Sequence, residues 1–333
     1  MKVVAFDLEP WEKGCLEELE QEHEVVATEQ PLDETNVEDY KDADIISTFI
    51  YSDLGRSNLE AFEKLGLIAT RSTGFDHIDL EYCRERDIKV ANVPDYGKNT
   101  VAEHVFGLLL TISHRLYESI DRTRTGDFSP QGLRGFDLRG RTLGVIGTGD
   151  IGKEAIRIAK GFGMEVIAFD VAEDQDAARD LGFEYVDMET LLKNADVITL
   201  HVPGNEKTKH MLSEKEFGQM KEGVVLINTT RGQVVDPPAL AGALAAGKLK
   251  AAGLDVLAEE PTVIDDLEVL RAVYQEQHDL RELMVDHALM RLRNVYITPH
   301  NAYNTCEAIQ RILDTTVDNV RSFARGEPKN VVD

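Results

Sequence analysis

The residues from Thr142 to Asp170 constrain this chain more than any other stretch. An apolar run, Thr142 to Ile146, leads into Gly147-Thr148-Gly149-Asp150-Ile151-Gly152; a helical pattern follows, then a second apolar run, Val166 to Phe169, closed by Asp170. Each part has a physical job. Gly147 permits a tight turn out of a strand, Gly149 lets the backbone approach a pyrophosphate, and Gly152 lets helix and strand pack closely. The first helical turn, with Asp150 and Ile151, offers unpaired N–H groups and a positive dipole end to phosphate oxygens. Asp170 stands where an acid accepts hydrogen bonds from ribose hydroxyls and repels a 2′-phosphate, which selects NAD over NADP. A lone glycine triplet is weak evidence; strand, helix and acid together make the dinucleotide-binding reading specific. The loop also nearly fits G-x-x-x-x-G-K through Gly147, Gly152 and Lys153. Glu154 stands where a Ser or Thr must hold magnesium, so triphosphate hydrolysis is not expected.

Short apolar runs alternate with helical patterns along the rest of the chain: Val3 to Phe6, Ile45 to Phe49, Leu67 to Thr70, Val197 to His201, Val224 to Asn228 and Val295 to Thr298. That alternation predicts an α/β fold of doubly wound parallel sheets, and the lack of strict polar alternation fits strands covered on both faces. Because the nucleotide-binding unit begins nearly halfway along, another domain precedes it. Val101, Val105, Leu108, Leu109 and Ile112 predict a helix from about Thr100 to Ser119, a candidate bridge between domains. Ile309, Ile312, Leu313, Val317 and Val320 predict another from Glu307 to Ala324, free to pack on either domain. The charged helical stretch from Pro261 to Arg293 is not placed by the sequence.

Composition excludes several function classes. With 36 Lys plus Arg against 61 Asp plus Glu, the formal charge is −25, and no basic cluster interrupts it. Neither nucleic acid nor an anionic membrane surface is expected as a partner. The acidity is open to two readings, a high-salt cytosol or an ordinary acidic surface. At 42% hydrophobic and 29% charged residues the chain is expected to be globular. No apolar stretch is long enough for a membrane span, and the start of the sequence lacks a signal-peptide pattern, so the expected compartment is the cytoplasm. Cys15, Cys83 and Cys306 show no metal or disulfide spacing and read as buried thiols. No metal-binding or serine-nucleophile motif is present, and no metal is expected.

Three polar residues follow apolar strands in the second half: Arg231, Glu260 and His300. Residues just past strand C-termini face the ligand crevice of a parallel sheet. Together they suit the reduction of a 2-keto acid. An imidazolium donates the proton while hydride arrives from a nicotinamide, and a guanidinium holds the carboxylate and polarises the keto oxygen. A carboxylate beside the imidazole favours its protonated form, which is the part assigned to Glu260.

The sequence resembles the D-specific 2-hydroxyacid dehydrogenases, most closely their D-lactate dehydrogenase branch. The resemblance runs over nearly the whole chain, through RSTGFDHIDL from Arg71, VPDYGKNTVAEHVFGLLL from Val93, GTGDIG from Gly147, DVITLHVP from Asp196, LINTTRGQVVD from Leu226, GLDV from Gly253 and TPH from Thr298. It implies a Rossmann NAD-binding domain, residues 100–300, inserted into a flavodoxin-like substrate domain, residues 1–99 and 301–333, with closure of the cleft excluding water. It implies that Arg231, Glu260 and His300 take the roles just argued. It places Asp255 against the nicotinamide carboxamide, and His201, Val202, Pro203, Thr229 and Thr230 along the cofactor. The loop at Thr73 and Gly74 resembles one whose N–H groups bind the substrate carboxylate, and Tyr51, Tyr96 and Tyr303 fall where the branch places aromatic rings around a small substrate. Pyruvate and D-lactate are the first expectation; glyoxylate, hydroxypyruvate and larger 2-keto acids stay open, as does an NAD-sensing protein without turnover. A homodimer through the cofactor domain is the expected assembly.

Overall fold

A computed structural model describes residues 1–258 and 280–332. The chain divides into two compact units, Met1–Tyr96 with Asn304–Asp333, and Gly97–Tyr303. Among the described residues the first unit holds a five-stranded sheet of β1 (Lys2–Ala5), β2 (Glu24–Ala27), β3 (Ile45–Thr48), β4 (Leu67–Thr70) and β5 (Lys89–Ala91), in the order β2-β1-β3-β4-β5. The second holds β6 (Thr142–Ile146), β7 (Glu165–Phe169), β8 (Glu184–Tyr185), β9 (Val197–Leu200), β10 (Val224–Asn228), β11 (Leu249–Leu254) and β12 (Val295–Ile297), in the order β12-β11-β10-β9-β6-β7-β8. Every strand pair in both sheets is parallel. The α/β class and the doubly wound parallel sheets read from the sequence are what the structure has.

The central strands are buried along their whole length, β3, β4, β9 and β10 among them. Each fully buried Val, Leu or Ile there contributes about 1.5–3 kcal/mol, and β-branched residues suit the pleat. In the first unit, helix Cys306–Ala324 lays Val317 and Val320 on Val3, Ala5, Ile45 and Leu67 of the sheet. Its N-cap, Thr305, accepts a hydrogen bond from the Ala308 N–H at 3.2 Å.

The long helix expected from Thr100 to Ser119 is in fact two. Helix Lys98–His114 ends at Arg115, whose left-handed backbone (φ 54°, ψ 42°) separates it from helix Leu116–Arg124. The cause is a competing donor. The Ser113 carbonyl accepts from the Phe136 N–H at 2.8 Å, where an unbroken helix would use an amide four residues on. The whole of helix Lys98–His114 belongs to the second unit, with Leu109 and Ile112 in one core with Leu143, Val145, Ala155 and Ile156. Of the three cysteines only Cys83 is buried; Cys15 is partly exposed and Cys306, first residue of an amphipathic helix, is exposed. No helix among the described residues is long and apolar enough to cross a membrane.

Parallel pairing puts all strand C-termini of a sheet on one edge, and ligands of such sheets bind there, near the point where strand order reverses. That point is β1/β3 in the first unit and β6/β9 in the second.

Candidate active site

Read along the C-terminal edge of the seven-stranded sheet, the residues singled out from the sequence follow strand order. Asp170 follows β7, the glycine loop β6, His201 to Pro203 β9, Thr229 to Arg231 β10, Asp255 β11 and His300 β12. At the β6 end, Gly147 has φ +94°, and a Cβ there would lie 2.4 Å from the His201 carbonyl oxygen. A Cβ on Gly152 would lie 2.2 Å from the Gly147 carbonyl oxygen, so helix Asp150–Gly161 packs directly on the turn. Asp150 opens that helix and pairs with Lys98 at 2.8 Å. The Asp170 carboxylate accepts from the Thr148 N–H (2.6 Å) and hydroxyl (2.9 Å) through Oδ2, and from the Ala172 N–H (2.9 Å) through Oδ1. Burial pushes this carboxyl up, but those bonds outweigh it and hold it below the usual carboxylate range.

The β10 to β12 end is held by side chains. Buried Asn228 closes the turn after β10, its Nδ2 donating to the Arg231 carbonyl (3.1 Å) and its Oδ1 accepting from Thr230 N–H (3.0 Å) and hydroxyl (2.8 Å). Arg231 Nη1 donates to the Thr230 carbonyl at 2.9 Å, and Thr229 is buried beside it. Asp255, with no exposed surface, grips the loop after β12. Its Oδ1 accepts from the Thr298 hydroxyl and the Asn301 N–H (2.8 Å), its Oδ2 from the Ala302 N–H (2.8 Å), and its carbonyl from the His300 N–H (3.0 Å). Burial raises this carboxyl, yet bonds from His104, Thr298, Asn301 and Ala302 leave it below its ordinary value. The loop so gripped is strained, because His300 has φ +47°, a left-handed backbone that costs a non-glycine residue about 1–2 kcal/mol. Strain of this kind persists only where neighbours over-determine it.

His201 lies between the two ends. Its Nε2 is 3.0 Å from the Thr199 hydroxyl, its Nδ1 is buried without a partner, and burial drives its pKa down to about 4. Val202 is partly buried and Pro203 exposed beside it. Glu260 lies outside the described residues, as does most of the Pro261–Arg293 stretch; its described part includes helix Leu280–Leu289.

Tyr51, Thr73, Gly74 and Tyr96 belong to the first unit, at or beyond the C-terminal edge of its own sheet. Thr73 is pinned through its hydroxyl on the Val93 carbonyl (2.7 Å) and its carbonyl on Asn92 Nδ2 (2.8 Å), while the Ser72 hydroxyl holds the Gly74 carbonyl (2.6 Å). Among the described residues the N–H groups of Thr73 and Gly74 have no protein acceptor, so both amides are left to meet an anion. Buried Arg71 stiffens the same edge, its guanidinium donating to Ser47 Oγ and to the Phe6 and Asp7 carbonyls. The Tyr51 ring is 66% exposed and packs edge-on to Phe49 at 5.6 Å. The Tyr96 carbonyl accepts from Arg311 Nε at 2.7 Å, and Tyr303, partly buried, closes the second unit.

A family model described as the NAD binding domain of D-isomer specific 2-hydroxyacid dehydrogenase matches residues 106–302. The D-lactate dehydrogenase of Escherichia coli is 36% identical over 331 residues, 98% of each chain. This chain is a D-isomer specific 2-hydroxyacid dehydrogenase. The glyoxylate reductase of Thermococcus litoralis is 37% identical over 304 residues, 89% of this chain and 85% of that one. The fold matches the crystal structure of D-lactate dehydrogenase from Aquifex aeolicus, complexed with NAD and lactic acid, with a TM-score of 0.84 at 36% identity, covering 98% of this chain and 96% of that one.

NAD is the cofactor of this dehydrogenase, and the residues present fit it. Gly147 and Gly152 are closed in by backbone, whereas a Cβ on Gly149 would meet nothing within 4 Å. The open side therefore lies at Gly149, N-cap of helix Asp150–Gly161, which has no side-chain cap of its own. A phosphate group can approach the first-turn amides there. The structure also draws in residues that no sequence motif singles out. Asn228 and Thr298 organise the two loops, and His104 Nε2 lies 3.0 Å from Thr298 Oγ1. The one available signal for His104 was a histidine inside an apolar helical stripe, one turn after Val101 and one before Leu108.

Proposed function

We propose that this dehydrogenase reduces pyruvate to D-lactate with NADH. Bound NADH supplies the hydride to the keto carbon. His300, as imidazolium, gives its proton to the keto oxygen and takes it back in the reverse reaction. Arg231 holds the carboxylate through its planar fork and polarises the keto oxygen, with the amides of Thr73 and Gly74 as further carboxylate donors. Tyr51, Tyr96 and Tyr303 are assigned to the walls around the methyl group. Glu260 is assigned to holding the His300 imidazolium, and the check is that Glu260→Gln moves the basic limb of the reduction profile to lower pH. The observation carrying the reading is that Arg231, Asp255 and His300 leave three neighbouring strands at one edge, with the glycine loop and Asp170 farther along it.

Lactate as the product is supported by the match to the Escherichia coli D-lactate dehydrogenase over 98% of each chain. The Thermococcus litoralis relative favours glyoxylate as a second reading. A panel of pyruvate, glyoxylate, hydroxypyruvate and larger 2-keto acids, followed by NADH absorbance, decides between them. A kcat/KM for glyoxylate above that for pyruvate would replace the first reading with the second. The proposal includes a cytoplasmic homodimer, supported by the exposed Leu116, Tyr117 and Ile120 of helix Leu116–Arg124. Analytical ultracentrifugation showing a monomer at micromolar concentration would remove it.

A further inference from the structure

A part-buried chain of hydrogen bonds links helix Lys98–His114 to the loop that carries His300, and it involves a residue with no role in the reading above. His104 Nε2 is 3.0 Å from Thr298 Oγ1 and 3.4 Å from Asp255 Oδ1. The proton inventory fixes its state. The single hydroxyl proton of Thr298 goes to the Asp255 carboxylate, which is acceptor-only when ionised. Thr298 Oγ1 is then an acceptor toward His104, and a bare Nε2 would face two acceptors at once. Nε2 must carry hydrogen, shared between the hydroxyl and the carboxylate.

We propose that His104 is a positioning residue for His300, its Nε2–H completing the set of donors that lets the Asp255 carboxylate hold residues 298–302. The proposal rests on the reading of His300 as the proton donor and adds to it the reason this loop stays in place. Asp255 has no exposed side-chain surface and His104 only 22%. A carboxylate so enclosed has no water with which to replace a missing donor, and an unmet buried charge costs more than an ordinary lost hydrogen bond. Without that donor the Asp255 carboxylate is anchored on one side fewer, and its grip on the Asn301 and Ala302 amides loosens. Those amides directly follow the left-handed backbone of His300, which would then relax. An imidazole displaced by about 1 Å is enough to reduce turnover as much as 100-fold.

The test compares three variants of the full-length protein. In His104→Gln the amide nitrogen overlays Nε2; in His104→Asn it overlays Nδ1; His104→Ala has no donor. The expected result is that kcat falls about tenfold or more in the Ala and Asn variants and stays within about threefold in Gln, with the Kd for NADH within about twofold throughout. A second readout is independent of turnover. Amide hydrogen exchange of Asn301 and Ala302 in the protein without substrate should quicken in His104→Ala and be restored in His104→Gln, while Lys153 near the glycine loop is unchanged. Unchanged exchange at Asn301 and Ala302 overturns the proposal whatever happens to kcat, and so does a Gln variant no better than Ala. Wild-type protein that turns over no 2-keto acid overturns the proposed function instead, and the exchange measurement still judges His104.

Discussion

The two ends of the seven-stranded sheet's C-terminal edge are built in opposite ways. Around β6 the surface is made by leaving side chains out, so that backbone meets backbone at Gly147 and Gly152 and stays open at Gly149. From β10 to β12 it is made by polar side chains, Asn228 closing its own turn under Arg231 and Asp255 reaching from β11 to the His300 loop after β12. A surface made by omission fails when an atom is added. A surface made by hydrogen bonds weakens in proportion to the bonds removed. Under the proposed function the first holds a cofactor common to many chemistries, and the second aims one proton.

Four measurements test that contrast. The largest effect belongs to His300→Ala, expected to lower kcat by about 100-fold or more while the Kd for NADH, read by fluorescence titration, stays within about twofold. An equal loss in NADH affinity would show that the two ends do not act separately. Next is Gly147→Ala, which places a methyl 2.4 Å from a carbonyl oxygen at a backbone angle of +94°. It should cost about 2–3 kcal/mol in urea unfolding and weaken NADH binding; an unmoved midpoint would mean the turn is softer than its geometry. Asp170→Ala should narrow the preference for NADH over NADPH by about tenfold in kcat/KM, the worth of a hydrogen bond to a charged group. A wild type that prefers NADPH contradicts the role given to that carboxylate. The smallest effect concerns His201, whose pKa of about 4 lies below the unfolded value of about 6.5. Folding therefore excludes a proton that the unfolded chain binds. The contribution is intact above pH 6.5 and is lost as pH falls toward 4. Between pH 7.5 and 5.5 the wild type should lose about 1 kcal/mol more than His201→Gln, which keeps a partner for Thr199. Equal acid sensitivity would mean that the partly exposed ring is better solvated than its orphaned Nδ1 implies.

The same contrast explains what could be read from the sequence. The glycine half lies within Thr142 to Asp170, so turn, helix start and acid stand in one contiguous string. The central strands were legible because burial on both faces makes them continuously apolar. β2, β5 and β8 were not, since Glu24–Ala27 is half-exposed at a sheet edge, Lys89–Ala91 is a three-residue edge strand and Glu184–Tyr185 is only two residues long. The break at Arg115 was hidden because its cause, the Phe136 N–H, arrives from another segment. The clamp at the other end joins His104 to Thr298 across 194 residues, and no local pattern records such a pairing. Sequence placed His300 and Arg231 after strands. It did not show that Asp255, expected against the carboxamide, has its carboxylate engaged by Thr298, Asn301 and Ala302.

Because all strands of this sheet run the same way, its two rims are unequal partners for engineering. The rim opposite the chemistry carries left-handed glycine turns at Gly223 before β10 and Gly247 before β11, each with nothing within 4 Å of where a side chain would begin. A fluorophore or surface tether grafted at exposed Glu222, beside the Gly223 turn and outside the left-handed region, sits at least a strand's length, about 16 Å, from the Arg231 turn. Immobilised by that rim, the seven-stranded sheet would point its working edge away from the support.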